Sequence, residues 1–138
     1  MTKSKKLLII DDDPEDCDFF CEAVAEIDGS YKCCKAHCAE DGLLQLRSNA
    51  AELPDYIFLD LNMPGMNGKE CLEVIKKDRI LSSIPVIIYS TSSSKTDRDE
   101  TLSQGASYFL TKPSEFRTIC AAIYNIIQQD FAVRATTM

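Results

Sequence analysis

Short apolar runs recur along this chain, and most of them stop on a polar or charged residue. Residues 7–10, 56–59 and 86–89 are apolar or aromatic at every position. A run apolar on both faces fits a strand covered on both sides, and these residue types favour strands. Two weaker runs, 31–36 and 107–110, bring the set to five. Between them lie residues at helical spacing, such as Phe20, Ala23, Val24 and Ile27, or Phe116, Ile119, Cys120, Ile123 and Ile127. The pattern predicts helices over 14–27, 39–50, 69–79, 95–104 and 114–129. Strands separated by helical crossovers imply an α/β fold, a parallel sheet covered on both faces. A chain of 138 residues suffices for one such domain.

Local chemistry sharpens the boundaries. Asp13 can cap a helix that Pro14 opens, and the acids Glu15 and Asp16 suit the positive end of its dipole. Pro64, Gly65 and Gly68 break the chain into a loop after residue 60. The helix over 95–104 is polar, with Leu102 its main apolar anchor, so loose attachment is expected; Gly105 can end it. Tyr124 and Ile126 fall off the last helix's apolar stripe. The tail from 132 is expected to fray.

In an open parallel sheet, ligands bind beyond the carboxyl ends of the strands. Those ends carry Asp11 and Asp12, then Asp60, then Ser90, then Lys112. Each signal is weak singly: acids solvate, hydroxyls commonly follow strands, and Asp11, Asp12 and Asp13 together could serve a helix start. Jointly they are specific, because four strands deliver matching groups at one end. Carboxylates in one crevice repel unless a cation joins them. Oxygen ligands with room for water suit Mg²⁺. Asp60 then has the makings of a nucleophile toward phosphorus, with Lys112 and Ser90 as partners for phosphoryl oxygens.

Net charge of −7 argues against a general nucleic-acid binder. No apolar run approaches the ~20 residues that span a bilayer, and only four apolar residues follow the basic start, too few for a signal-peptide core. Seven cysteines, an odd number without a visible leader, read as free thiols in a reducing cytoplasm. A zinc site from Cys17, Cys21, His37 and Cys38 lacks the usual close cysteine pairs. The lone His37 reads as structural or solvated.

The stretch from about Leu7 to Ile127 resembles the receiver domain of two-component response regulators, of the single-domain chemotaxis kind. The resemblance rests on Leu-Ile-Ile-Asp-Asp (8–12), Phe-Leu-Asp-Leu-Asn-Met-Pro-Gly-Met-Asn-Gly (58–68), Ile-Pro-Val-Ile-Ile-Tyr-Ser-Thr (84–91) and Gly-Ala-Ser-Tyr-Phe-Leu-Thr-Lys-Pro (105–113). It implies a flavodoxin-like doubly wound sheet of order 2-1-3-4-5 with five helices, a receiver domain over 5–130 and a short tail over 131–138. Asp60 would be the phosphoacceptor, loaded by a histidine kinase or a histidine phosphotransfer protein. Asp11, Asp12, Asp60 and the Asn62 carbonyl would hold Mg²⁺, with one of the first two acids reaching it directly or through water. Lys112 would bind the phosphoryl group, and the Lys112–Pro113 bond would be cis. Ser90 would swing toward the phosphoryl group, and Phe109, the switch aromatic, would rotate inward. The serine run 92–94 and the missing phenol hydroxyl at Phe109 depart from the commonest pattern.

Such a module catalyses only its own phosphorylation and dephosphorylation. Its output would be a protein contact, with the fourth helix, fifth strand and fifth helix as the face, or onward transfer to a histidine phosphotransfer protein, as a monomer or weak homodimer in the cytoplasm, without nucleic acid or membrane. Three rivals stand beside it. A phosphatase with an Asp nucleophile wants an acid two residues on, where Asn62 stands. A phosphorylation-independent pseudo-receiver would not need the full set of acids. A flavin-binding domain would want a phosphate cradle after the first strand, where acids sit instead.

Overall fold

The computed structural model describes residues 4–129. In chain order it contains β1 (Lys6–Ile10), α1 (Pro14–Ile27), β2 (Lys32–Ala36), α2 (Ala39–Ser48), β3 (Tyr56–Leu59), α3 (Gly68–Lys77), β4 (Val86–Ser90), α4 (Lys95–Ser103), β5 (Tyr108–Thr111) and α5 (Phe116–Ile127). Short 3₁₀ turns at Ala50–Glu52 and Leu81–Ser83 lead toward β3 and β4. The sheet has order β2-β1-β3-β4-β5, and every pairing is parallel. This is the doubly wound arrangement that the alternating pattern implied.

Successive side chains point to opposite faces, so each central strand feeds two cores. Leu8, Ile10, Ile57, Leu59 and Ile88 pack with Leu72 and Ile75 of α3. Leu7, Ile9, Phe58, Ile87 and Tyr89 pack with Phe20 of α1 and Ile119 and Ile123 of α5. Phe20 anchors the second core, its ring centroid 4.7 Å from Phe58 and 5.5 Å from Tyr89. Asp13 caps α1, accepting from the Glu15 and Asp16 N–H groups at 2.9 and 3.3 Å.

Several expectations are corrected. Leu102 is 40% exposed, and Thr101 is the buried residue of α4, its hydroxyl donating to the Asp97 and Arg98 carbonyls. What ties α4 down is polar: Lys69 of α3 bridges Asp97 at 2.8 Å and Glu100 at 2.9 Å. Ile126 is buried, because the last turn of α5 is closed from beneath by Tyr56, whose hydroxyl donates to the Ile127 carbonyl. Tyr124 is exposed as expected. No peptide bond among the described residues is cis, so Lys112–Pro113 is trans, the ground-state preference of an X–Pro bond. The tail over 131–138 lies outside the described residues.

The free-thiol expectation fails for two cysteines. Cys21 of α1 and Cys33 of β2 are disulfide-bonded, their Cα atoms 5.5 Å apart where the helix crosses the edge strand. This pairing, with Cys38 accepting the Asp41 N–H as the cap of α2, also dissolves the suggested zinc set. The bridge closes a short loop. Its reduction is expected to lower stability by about 2 kcal/mol, read as a fall in the urea midpoint with dithiothreitol. Cys33→Ser should show no such response; a wild type indifferent to reductant contradicts the bridge.

Candidate functional site

Backbone ladders set the acids. The Asp11 N–H donates to the Ala36 carbonyl at 2.9 Å, and the Asp60 N–H donates to the Ile10 carbonyl at 3.0 Å. Both residues therefore continue the strand direction just beyond the carboxyl ends of β1 and β3. Asp11 is fully buried, Asp60 is 5% exposed and Asp12 is open to solvent. Carboxylate oxygens of all three lie within 4.8 Å of one another. The Lys112 N–H donates to the Ser90 carbonyl at 2.7 Å, which extends the β4–β5 ladder by one step. Its ammonium thereby enters the acidic crevice, 2.7 Å from Asp11 Oδ2, 2.7 Å from Asp16 Oδ2 and 3.9 Å from Asp60 Oδ1.

These charges perturb one another. Burial pushes the Asp60 carboxyl up to about 6, and the neighbouring Asp11 charge adds to the rise; Lys112 and the Asn62 backbone N–H oppose it. Burial likewise raises Asp11, against the pull of Lys112. Burial alone would lower Lys112, but its contacts with Asp11 and Asp16 outweigh this and hold the amine firmly protonated. The Lys112 ammonium also lies 5.4 Å from the Tyr89 ring centroid.

A cation fits what remains. Asp11 Oδ1 accepts the Asp13 N–H at 3.0 Å, whereas the buried Asp11 Oδ2 receives no aligned hydrogen bond and has the Lys112 ammonium beside it at 2.7 Å. A buried carboxylate oxygen without an aligned hydrogen bond, beside two further carboxylates, is a donor set for a hard divalent ion.

The other expected residues lie around this crevice. Asn62 is exposed in the β3–α3 loop. Ser90 is fully buried within β4, its hydroxyl oxygen accepting the Ser92 N–H at 3.2 Å. Phe109 is buried, 5% exposed, with the Arg98 guanidinium 5.4 Å from its ring centroid. The serine run is ordered by bonds: Ser92 Oγ donates to Asp97 Oδ2 at 2.7 Å, and Thr111 Oγ1 donates to the Ser92 carbonyl at 3.2 Å. An open cleft of 460 Å³ beside the loop is lined by Asn62, Met63, Asn67, Lys69 and Asp97.

Sequence reasoning missed Asp16, treating it only as an acid suited to a helix start. The signal was present: Asp16 precedes the core residue Phe20 by four, so both project from one face of α1 toward the sheet. It also missed Gly68, read only as a loop breaker. A Cβ there would overlap the Asp60 carbonyl oxygen and sit 2.6 Å from Leu61 Cα.

The fold and this crevice define a receiver-type α/β module. A family model described as "Response regulator receiver domain" matches residues 7–124, and the chain belongs to that family. Protein PilH of Pseudomonas aeruginosa is 34% identical over 122 residues, spanning 88% of this chain and 97% of that protein. The structure of the phosphorylated cyanobacterial phytochrome response regulator RcpA superposes with a TM-score of 0.81 at 27% identity, over 90% of this chain and 91% of that one. The Mn²⁺-bound form of response regulator Rcp1 superposes at 0.75 with 24% identity, over 88% and 91%, a likeness of fold. Receiver domains are generally signalling modules rather than enzymes, and they interact with histidine kinases and phosphotransfer proteins. No helix among the described residues is long and apolar enough to cross a membrane.

Proposed function

We propose that this receiver domain, over residues 5–130, accepts a phosphoryl group on Asp60 and signals through a protein-binding face. One observation carries the reading: three carboxylates from two strand ends meet within 4.8 Å while the Lys112 ammonium sits 3.9 Å from Asp60 Oδ1. The donor would be a phosphohistidine on a sensor kinase or a phosphotransfer protein. An Asp60 oxygen attacks phosphorus, the P–N bond breaks, and the imidazole leaves with the bond's electron pair and takes up a proton. Lys112 supplies positive charge to the phosphoryl oxygens as they spread negative charge. Asp11, Asp12, Asp60 and the Asn62 carbonyl would hold Mg²⁺, which when bound neutralises phosphoryl charge and lets the carboxylates coexist.

The output is proposed to run through the β4–α4 loop. Ser90, Ser92, Asp97 and Lys69 form one chain of contacts from β4 to α3. A Ser90 hydroxyl turned toward a phosphoryl oxygen gives up the Ser92 N–H, which loosens the loop and biases α4. Leu102, Tyr108 and Tyr124, one from each of α4, β5 and α5, are exposed apolar residues on the proposed signalling face. A cytoplasmic location belongs to the same proposal.

The test is intact mass after incubation with acetyl phosphate and Mg²⁺. Wild type should gain one base-labile phosphoryl group, EDTA should prevent it, and Asp60→Asn should gain none. Uptake undiminished in Asp60→Asn, or none in wild type, removes the proposal.

A further inference from the structure

We propose that Asp16 is a positioning residue that shares the Lys112 ammonium with Asp11 and so limits the lysine's competition with the cation for the strand-end acids; this deepens the phosphoacceptor reading and rests on it. Two carboxylate oxygens stand 2.7 Å from Lys112 Nζ, but they are not equivalent. The aligned hydrogen bond runs to Asp16 Oδ2. Asp11 Oδ2, equally near, is ion-paired with the ammonium but receives no aligned hydrogen bond. The ammonium is therefore held from two sides, by an aligned hydrogen bond to Asp16 of α1 and by an ion pair with Asp11 at the end of β1.

Asp16 is suited to this by its place. It lies in the first turn of α1, and its own N–H is fixed by the Asp13 cap at 3.3 Å. One residue on, Cys17 is fully buried, and its thiol donates to the Asp11 carbonyl at 3.4 Å. The turn that carries Asp16 is thus tied to the same backbone that carries Asp11. Lys112 is fixed at its other end by the N–H bond to the Ser90 carbonyl. Between these two anchors the ammonium stays 3.9 Å from Asp60 Oδ1, near enough to offset its charge and too far to hydrogen-bond to it.

The consequence is a division of labour. A cation can take Asp11 Oδ2 without breaking the lysine's hydrogen bond. Without a carboxylate at position 16, the ammonium would find acids only at Asp11 and Asp60. It would be drawn onto the oxygens that the cation and the phosphoryl group need. Lysine and cation would then compete for the same ligands.

Mg²⁺ binding measured by titration calorimetry, with no phosphodonor present, tests this on the protein itself. Asp16→Asn is expected to weaken Mg²⁺ about tenfold, as loss of an outer-shell partner does. Asp16→Glu, which keeps the charge, should recover most of that loss. Asp18→Asn removes an equal charge from the same helix, where Asp18 pairs with Lys35, and should bind as wild type does. The deciding arm is a double-mutant cycle. With Lys112→Met there is no ammonium to hold, and adding Asp16→Asn should change Mg²⁺ affinity less than about twofold. An equal loss in both backgrounds, or no loss from Asp16→Asn alone, overturns the proposal. Because no phosphodonor is used, failure of Asp60 as acceptor would appear only in the mass experiment and would leave these outcomes readable.

Discussion

At pH 7 and without divalent cations, Asp60→Asn is expected to be about 2 kcal/mol more stable than the wild type, although the proposed phosphoryl uptake should be abolished in it. The cause is burial first and the adjacent Asp11 charge second, which together push the Asp60 carboxyl from an ordinary 3.8 up to about 6. A folded-state pKa above the unfolded one means that the native protein holds the proton more tightly. The associated stability is fully present below the unfolded value and is lost as pH rises through the folded value. The span of about two units corresponds to about 3 kcal/mol, reduced to about 2 by solvent that reaches the crevice. The amide of Asn cannot ionise, so it avoids the loss. It can still accept the Asn62 N–H, and it forfeits no hydrogen bond to Lys112, which stands 3.9 Å away. Urea unfolding at pH 5 and pH 7 reads the effect. The variant's advantage should grow between the two and shrink when Mg²⁺ is added to the wild type. A variant weaker than wild type at pH 7 in EDTA would mean that Asp60 is not electrostatically strained.

Much of this crevice could be read from the chain because its parts are delivered by local rules. The run from Tyr56 to Leu59 is apolar at every position, and that allows few environments other than a doubly covered strand. Asp13 and Pro14 write the start of α1 within a few residues. Once the strands are parallel, Asp11, Asp60 and Lys112 must emerge at one end, and the ladder bonds to Ala36, Ile10 and Ser90 set their depth.

What escaped the sequence is what distant partners decide. One apolar residue in α4, Leu102, cannot fix its rotation. Lys69, in α3, does so by pulling Asp97 and Glu100 toward it, and Leu102 is left outside. Ile126 lies off the stripe, yet the floor provided by Tyr56 buries it. The Cys21–Cys33 bridge depends on how α1 crosses the edge strand, which no spacing of cysteines encodes. The Lys112–Pro113 isomer turns on an intrinsic difference of about 0.5–1 kcal/mol, small enough for the surroundings to decide. Asp16 shows the subtler failure: a correct local role, favouring the helix start, hid its second partner 96 residues away.

Gly68→Ala is expected to destabilise the protein by about 3 kcal/mol, the upper end of overpacking costs. The position has ordinary helical backbone, so the demand is for space. An added Cβ would overlap the Asp60 carbonyl oxygen and lie 2.6 Å from Leu61 Cα. Both neighbours are backbone and cannot turn aside as a side chain would. Neither can the glycine retreat: Asn67 and Glu70 form a capping box with bonds of 2.9 and 3.0 Å, and the Gly68 N–H donates to the Leu61 carbonyl at 3.0 Å. Relief must therefore come from the segment after β3, which moves Asp60 relative to Lys112. A displacement of that kind should slow phosphoryl uptake from acetyl phosphate at least about tenfold. Gly29→Ala is the control, since a Cβ there meets nothing within 4 Å and should shift stability by no more than about 0.5 kcal/mol. Urea midpoints of the two variants, with uptake rates from intact mass, separate the cases. If both variants match the wild type in stability and rate, α3 does not press on the acceptor loop and the position of Asp60 is set by the strand alone.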